Sequence, residues 1–305
     1  MDYRFLLSIL CCSSLFMKPC CAQELKPGLA GMAPSKWITI KHTVAPGRQY
    51  RSENGQTKKY TQEDCYVRAW IPVIHKQNFA IVLGPNYRTE QMEFKSYGDN
   101  PINQLSSWKL RSMGIDLKSF FKLDSTSYLV VASNINKSGN LTHESRHSIP
   151  YNYSFTSVYM KKKSDRKEIG FGVMVNKSDK LAVLPVFVFN YNNISGKSGI
   201  EIALPKKVAY RMNLSPTDIL YFKSEVLTRR YYTYDNSDKP TLFRLIDLDT
   251  GIQYNKQINK LIGIEVFGGY RANISKRLPA GIIPIRTSGL AASIEIYIRP
   301  PFNSK

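Results

Sequence analysis

The sequence predicts an all-β fold, an antiparallel transmembrane β-barrel of about 14 strands, with about 12 as the fallback count. Three observations predict it. The C-terminal third alternates strictly, the connections sort by length to opposite ends, and the chain opens on an export leader. The alternation is clearest in Leu245–Asn255, Leu261–Ile274 and Leu290–Arg299. One face of these segments runs through Ile246, Leu248, Ile252, Ile264, Val266, Ile294, Ile296 and Ile298, and none of its 17 positions is charged. On the other face six of 17 are charged: Asp247, Asp249, Glu265, Arg271, Glu295 and Arg299. Period two means strands with one apolar and one polar face. A soluble sandwich turns the apolar face inward, whereas a membrane barrel turns it to lipid. The soluble periplasmic or secreted β-sandwich binding module therefore stands as the alternative.

At the N-terminus, Met1–Ala22 carries Arg4, the apolar run Phe5–Met17 and the small residues Cys20-Cys21-Ala22 before Gln23. That is a cleavable export signal, too short to span a bilayer as a helix. Its removal takes Arg4, Lys18 and Asp2, lowering the formal charge from +20 to +19. Four of the five cysteines leave with it, so Cys65 has no intramolecular partner and a disulfide scaffold is excluded. For an exported basic chain the polyanion at hand is lipopolysaccharide, not nucleic acid. The expected location is the outer membrane, and the expected partners are its lipid, the barrel-assembly machinery and small solutes.

A short irregular leader, 23–36, precedes the barrel at 37–302. Eleven further strand segments follow: Trp37–Val44, Cys65–Pro72, Phe79–Tyr87, Trp108–Phe121, Tyr128–Asn136, Tyr153–Lys163, Glu168–Lys177, Leu181–Asn192, Gly199–Leu204, Val208–Leu214 and Ile219–Arg230. Trp108–Phe121 would also suit a helix, and Gly114 with the alternation Met113, Ile115, Leu117 favours the strand. Long polar connections at Ala45–Asp64, Arg88–Ser107, Lys137–Asn152, Tyr231–Thr241 and Ser275–Ser288 all fall at one end. Short ones such as Val73–Asn78 and Lys256–Lys260 fall at the other, with two further short links, Ser178–Lys180 and Pro205–Lys207, on the long-loop side, an asymmetry typical of outer-membrane barrels. Gly199–Leu204 and Val208–Leu214 are short of the roughly 9–11 residues of a tilted spanning strand, hence the lower count.

The stretch Gly199, Glu201, Leu204, Pro205 followed by Val208, Tyr210 and Arg211, with the pattern of Ser112–Leu129, carries a resemblance. It resembles an uncharacterised family of Gram-negative outer-membrane β-barrel proteins, a domain of unknown function covering nearly the whole mature chain. The resemblance implies a barrel in the outer membrane and supplies no substrate or catalytic residue. The C-terminal Ile294, Ile296, Ile298 and Phe302 also resemble an outer-membrane assembly signal, although Asn303-Ser304-Lys305 follow.

Candidate chemistry is thin. His143-Glu144-Ser145-Arg146-His147 matches a zinc-protease pattern that requires a helix, yet it sits between Gly139-Asn140 and Pro150 in a loop. Gly170 and Gly172 on a strand make room for bulky neighbours rather than cradle phosphate. No cofactor, metal site or catalytic triad is expected, and the chain is read as a narrow channel or surface scaffold, not an enzyme. The constellation with content is the set of charges turned away from the apolar face. These are Glu168, Lys207, Arg211, Lys223, Glu225, Arg229, Asp247, Asp249, Glu265, Arg271, Glu295 and Arg299. An ionised group facing lipid costs about 2–4 kcal/mol near the midplane, so they are expected to face a lumen.

Overall fold

A computed structural model describes residues 28–51, 57–94, 109–140, 149–178, 180–233, 241–277 and 288–300. Its strands are β1 (Ile38–Arg51), β2 (Thr57–Ala69), β3 (Ile71–Lys76), β4 (Phe79–Phe94), β5 (Leu110–Lys122), β6 (Ser127–Gly139), β7 (Tyr151–Ser164) and β8 (Lys167–Lys177). They continue as β9 (Leu181–Asn192), β10 (Ser198–Leu204), β11 (Lys207–Asn213), β12 (Asp218–Thr233), β13 (Thr241–Gln257), β14 (Ile262–Arg277) and β15 (Gly289–Ile298). Neighbours in sequence pair antiparallel, and β1 closes the ring by pairing both β2 and β15. β2 and β3 are one stave of the wall, since β4 pairs β2 along its upper half and β3 along its lower half. The result is a closed 14-stave barrel. Closure pairs the strand edges, as lipid offers no hydrogen bonds, except where the short β10 and β11 stop below the ends of β9 and β12.

The stave breaks at Trp70, whose ring lies over Gly84 so closely that a Cβ there would sit 2.6 Å from it. The expected turn Val73–Asn78 is therefore largely strand, and only Gln77 and Asn78 turn the chain. Trp108–Phe121 is a strand, beginning at Leu110. The long polar connection expected at Ala45–Asp64 is also mostly strand: β1 and β2 stay paired from Ile38↔Ala69 to Arg51↔Thr57. A bulge between Ala45 and Arg48, with Gly47 at φ +64°, shifts the register there. The opposite end has tight turns. In the β5–β6 turn the carboxylate of Asp124 accepts the Thr126 and Ser127 backbone N–H groups (2.7 and 2.8 Å) and the Thr126 hydroxyl. These bonds, the Thr126 N–H first, hold its pKa down at about 2.

The wall is one layer thick, so alternate residues divide between outside and inside. Outward positions stay exposed and apolar, as at Ile40, Ile115, Val173, Phe222, Ile252, Val266 and Ile294, and form the belt that meets lipid. Replacing Ile296 by Arg puts a cation in that belt and should cost about 2–4 kcal/mol of folding stability in liposomes. Ser293→Arg, on the buried face, should cost less. Denaturant titration of both variants checks the order, and equal losses would contradict the facing.

Candidate functional site: the barrel interior

At the end carrying the short turns, residues 28–36 run inside the barrel rather than away from it. The Gly28 N–H donates to Glu168 (3.3 Å), the Ala30 carbonyl accepts from Asn192 (2.8 Å), and the Ala33 N–H donates to the Tyr221 hydroxyl (3.1 Å). Lys36 Nζ sits between Glu265 and Glu295, at 2.8 and 2.5 Å. These partners belong to β8, β9, β12, β14 and β15, so the segment is a strap across the mouth. Gly31 fits only as glycine in that position: its φ is +77°, and a Cβ would lie 2.7 Å from Asn213.

Above the strap the expected charges divide into local pairs. Glu168 is fully buried and accepts from Asn190 (2.7 Å) and from the Tyr128 hydroxyl. Arg211, fully buried, donates to Asn192 and faces Glu201 at 3.7 Å, and Lys207 meets the same Glu201 at 2.8 Å. Lys223 pairs Glu225 at 3.0 Å. Arg271 grips Asp249 with two parallel bonds of 2.7 and 2.8 Å, the strong bidentate geometry. Arg299 lies beyond β15, half-buried.

Near the end where the longer connections lie, ion pairs cross the barrel. Arg229 of β12 donates to Asp247 of β13 at 2.9 Å and forms an ion pair with Glu90 of β4 at 3.2 Å. Arg48 of β1 bonds the other oxygen of Asp247 at 3.1 Å and donates to Gln62, which donates to Glu90. The Tyr231 hydroxyl completes Glu90 at 2.6 Å, and Asn273 completes Asp247 at 2.9 Å. Arg48, Arg229, Asp247, Glu90, Gln62 and Tyr231 are all buried to 3 % exposure or less. Tyr60, Met92, Leu110, Phe243 and Leu245 are buried as well, and the Tyr231 and Phe243 rings stack 6.3 Å apart. Beside them β12 meets β6 directly, Tyr232 bridging Gly139. That approach requires glycine, because a Cβ on residue 139 would sit 2.1 Å from the Tyr232 carbonyl oxygen.

The remaining quadrant lies on β6 to β9. Tyr128, Val158 and Met160 pack there with Val130, Val186 and Val188. Gly170 lies against them, where a Cβ would meet the Met160 sulfur. The interior thus combines the ionic cluster with a separate apolar patch on β6 to β9.

Sequence reasoning missed Lys36, Arg48, Gln62, Glu90 and Glu201. Arg48 falls within the long polar connection expected at Ala45–Asp64, and beside the bulge at Gly47 it is buried. Lys36 lies in a segment with no periodicity to read. Glu201 shares its strand face with Gly199 and could have been found by extending the alternation through β10. His143–His147 and Phe302 lie outside the described residues. Among the described residues no group of His, Cys, Asp and Glu is placed to hold a metal ion.

Fold and interior define a transmembrane β-barrel of antiparallel strands. The chain belongs to the family described as Domain of unknown function (DUF6268), whose model matches residues 38–278. No curated protein matches it. Among solved structures it is similar to the COG4313 outer membrane channel from Pseudomonas putida F1, at 10 % identity and TM-score 0.43, covering 90 % of this chain and 100 % of that one. The P. putida toluene transporter TodX matches at 9 % identity and TM-score 0.36, over 90 % and 92 %. LpxR from Salmonella typhimurium matches at 7 % identity and TM-score 0.38, over 86 % and 99 %.

Arg229→Met should strand two buried carboxylates, Glu90 and Asp247, and cost about 3–5 kcal/mol. The loss should be smaller when Glu90→Gln accompanies it, a coupling that a double-mutant cycle of unfolding free energies measures.

Proposed function

We propose that this protein is a channel of the Gram-negative outer membrane for small solutes, held narrow by the strap and the crossing ion pairs, and that it is not an enzyme. The observation that carries the reading is the unequal filling of the interior. Ends and one side are packed, yet Val130, Thr156, Met174 and Val186 on β6 to β9 keep accessible surface on the inner side. A structural plug would have no use for that space. The charged positions from Glu168 to Glu295 line the rest of the lumen and balance one another. An export signal at Met1–Ala22 delivers the chain to the envelope, where lipopolysaccharide phosphates meet its excess positive charge.

Single-channel recording in planar bilayers tests the reading. The intact protein should pass small currents, and deleting residues 28–36 should raise conductance several-fold. Anions should be preferred at low salt, because the chain's excess positive charge outside the balanced lumen concentrates them at the mouth, and the preference should fade above roughly 0.15 M as screening shortens to about 8 Å. Absence of conductance from the intact protein, the strap deletion and Arg229→Ala alike would overturn the channel.

A further inference from the structure

We infer that the barrel opens sideways, through a window in the wall between β9 and β12, and that neutral apolar molecules pass there between the outer leaflet and the lumen. The register draws the window. β10 pairs β9 only from Gly199↔Asn192 to Leu204↔Phe187, while β8 accompanies β9 up to Lys177↔Leu181. Along Leu181–Val186, therefore, β9 has β8 on one edge and, among the described residues, no strand on the other. That edge is about 20 Å long at roughly 3.3 Å per residue. On the far side β11 stops opposite Glu225, with Val226 donating to the Lys206 carbonyl at 2.8 Å. The next bridge on that side of β12 among the described residues is Tyr232 with Gly139 of β6. The tip of the β10–β11 hairpin is the sill, and β12 leaning onto β6 is the lintel.

The height of the sill decides what lies outside it. β10 and β11 have seven residues each. At about 3.3 Å per residue and a tilt near 40° they rise about 18 Å, against an apolar band about 25 Å tall. The window therefore begins at the depth of acyl chains, not of water.

The β9 side of its frame is chemically matched to that depth. Leu181, Ala182, Val183, Leu184 and Pro185 run consecutively along the open edge, and all five are exposed. Here both faces are open, as expected for a wall that ends. The inner face continues from Leu184 through Val186 and Val188 to the Val158–Met160 cluster and Tyr128. That track ends at Glu168, under the Gly28 N–H of the strap. Along the barrel axis, by contrast, the Arg48–Asp247–Arg229–Glu90 cluster, buried to 3 % exposure or less, offers ionised groups to a solute rather than an apolar lining. The apolar lining runs sideways. The inference deepens the channel reading by naming its solute class and rests on that reading for transport, though not for the window itself.

Spin labelling of the full chain in liposomes tests the window. Cys65, exposed on the wall, is first replaced (Cys65→Ser). Single cysteines are then introduced as Leu184→Cys at the window, Ile294→Cys on the lipid belt and Ala132→Cys on the inner face of closed wall. Each nitroxide is scored for collision with lipid-soluble oxygen against a water-soluble nickel chelate. Leu184→Cys should give an oxygen-to-nickel ratio within about two-fold of Ile294→Cys and several-fold above Ala132→Cys. A ratio matching Ala132→Cys overturns the window. For passage, a bimane on Val188→Cys, deep in the track, is exposed to 4-hydroxy-TEMPO benzoate dissolved in the bilayer. This neutral apolar quencher should reach it, and adding Leu184→Arg should cut quenching about five-fold. Quenching unchanged by Leu184→Arg, or absent from the start, overturns passage through the window. Failure of ionic conductance with these results intact would remove the ion channel and leave the lateral route standing.

Discussion

A barrel wall one residue thick has no core of its own, and that constraint governs everything else in this molecule. Each side chain must satisfy either lipid or the interior. A charge on the interior side, removed from bulk water, must then find its partner within the barrel. Arg229 shows the consequence. It reaches Glu90 across the barrel and Asp247 on the adjacent strand, while Arg48 takes the second oxygen of Asp247. Four strands, β1, β4, β12 and β13, are thereby fixed together. Such pairs contribute little net stability over an apolar filling, because desolvation offsets most of their attraction. What they add is geometry: they draw β12 towards the far wall, and the Tyr232–Gly139 bridge follows from that approach.

Drawing β12 inward leaves a mismatch elsewhere. The wall from β7 to β11 cannot follow it, because β10 and β11 are too short to reach the level where β12 crosses. The two ends of the β10–β11 hairpin tell the same story. Its base is tied by Arg211, Glu201, Lys207 and Asn192, a set of short ionic and amide contacts. Beyond its tip the neighbouring β9 edge consists of Leu, Ala, Val, Leu and Pro without a polar side chain. Pro185 itself has no N–H to offer a partner strand, which suits an edge that ends.

The period-two alternation made the wall legible in the sequence, and the parity of long and short connections gave its orientation. Both depend on local chemistry: which residues tolerate lipid, and which turns need few atoms. The shortness of Gly199–Leu204 and Val208–Leu214 was visible too, although it read as doubt about the strand count. In the structure both segments are staves, and their shortness is a feature of the wall. What stayed hidden was whatever depends on distance across the barrel. No pattern along the chain links Arg48 to Asp247, and the bulge at Gly47 breaks the alternation just where Arg48 would have been assigned a face. The strap was hidden for a different reason. Its hold comes from backbone groups of Gly28, Ala30 and Ala33, which any residue carries, and from one lysine.

The strap and the crossing cluster close the interior by different physics, and the difference bears on which can yield. The cluster is buried on every side, so parting it exposes unpaired charges to a low-dielectric surround. That is expensive, and partial opening offers nothing in return. The strap spends one ion-paired lysine and a few single hydrogen bonds at the rim of the barrel, where water can replace each bond as it breaks. Each such exchange costs on the order of 1 kcal/mol. Lys36 keeps about a fifth of its side-chain surface exposed even when paired. Of the two closures, the one at the short-turn end is therefore the one that thermal motion can release, while the ionic closure behaves as permanent wall.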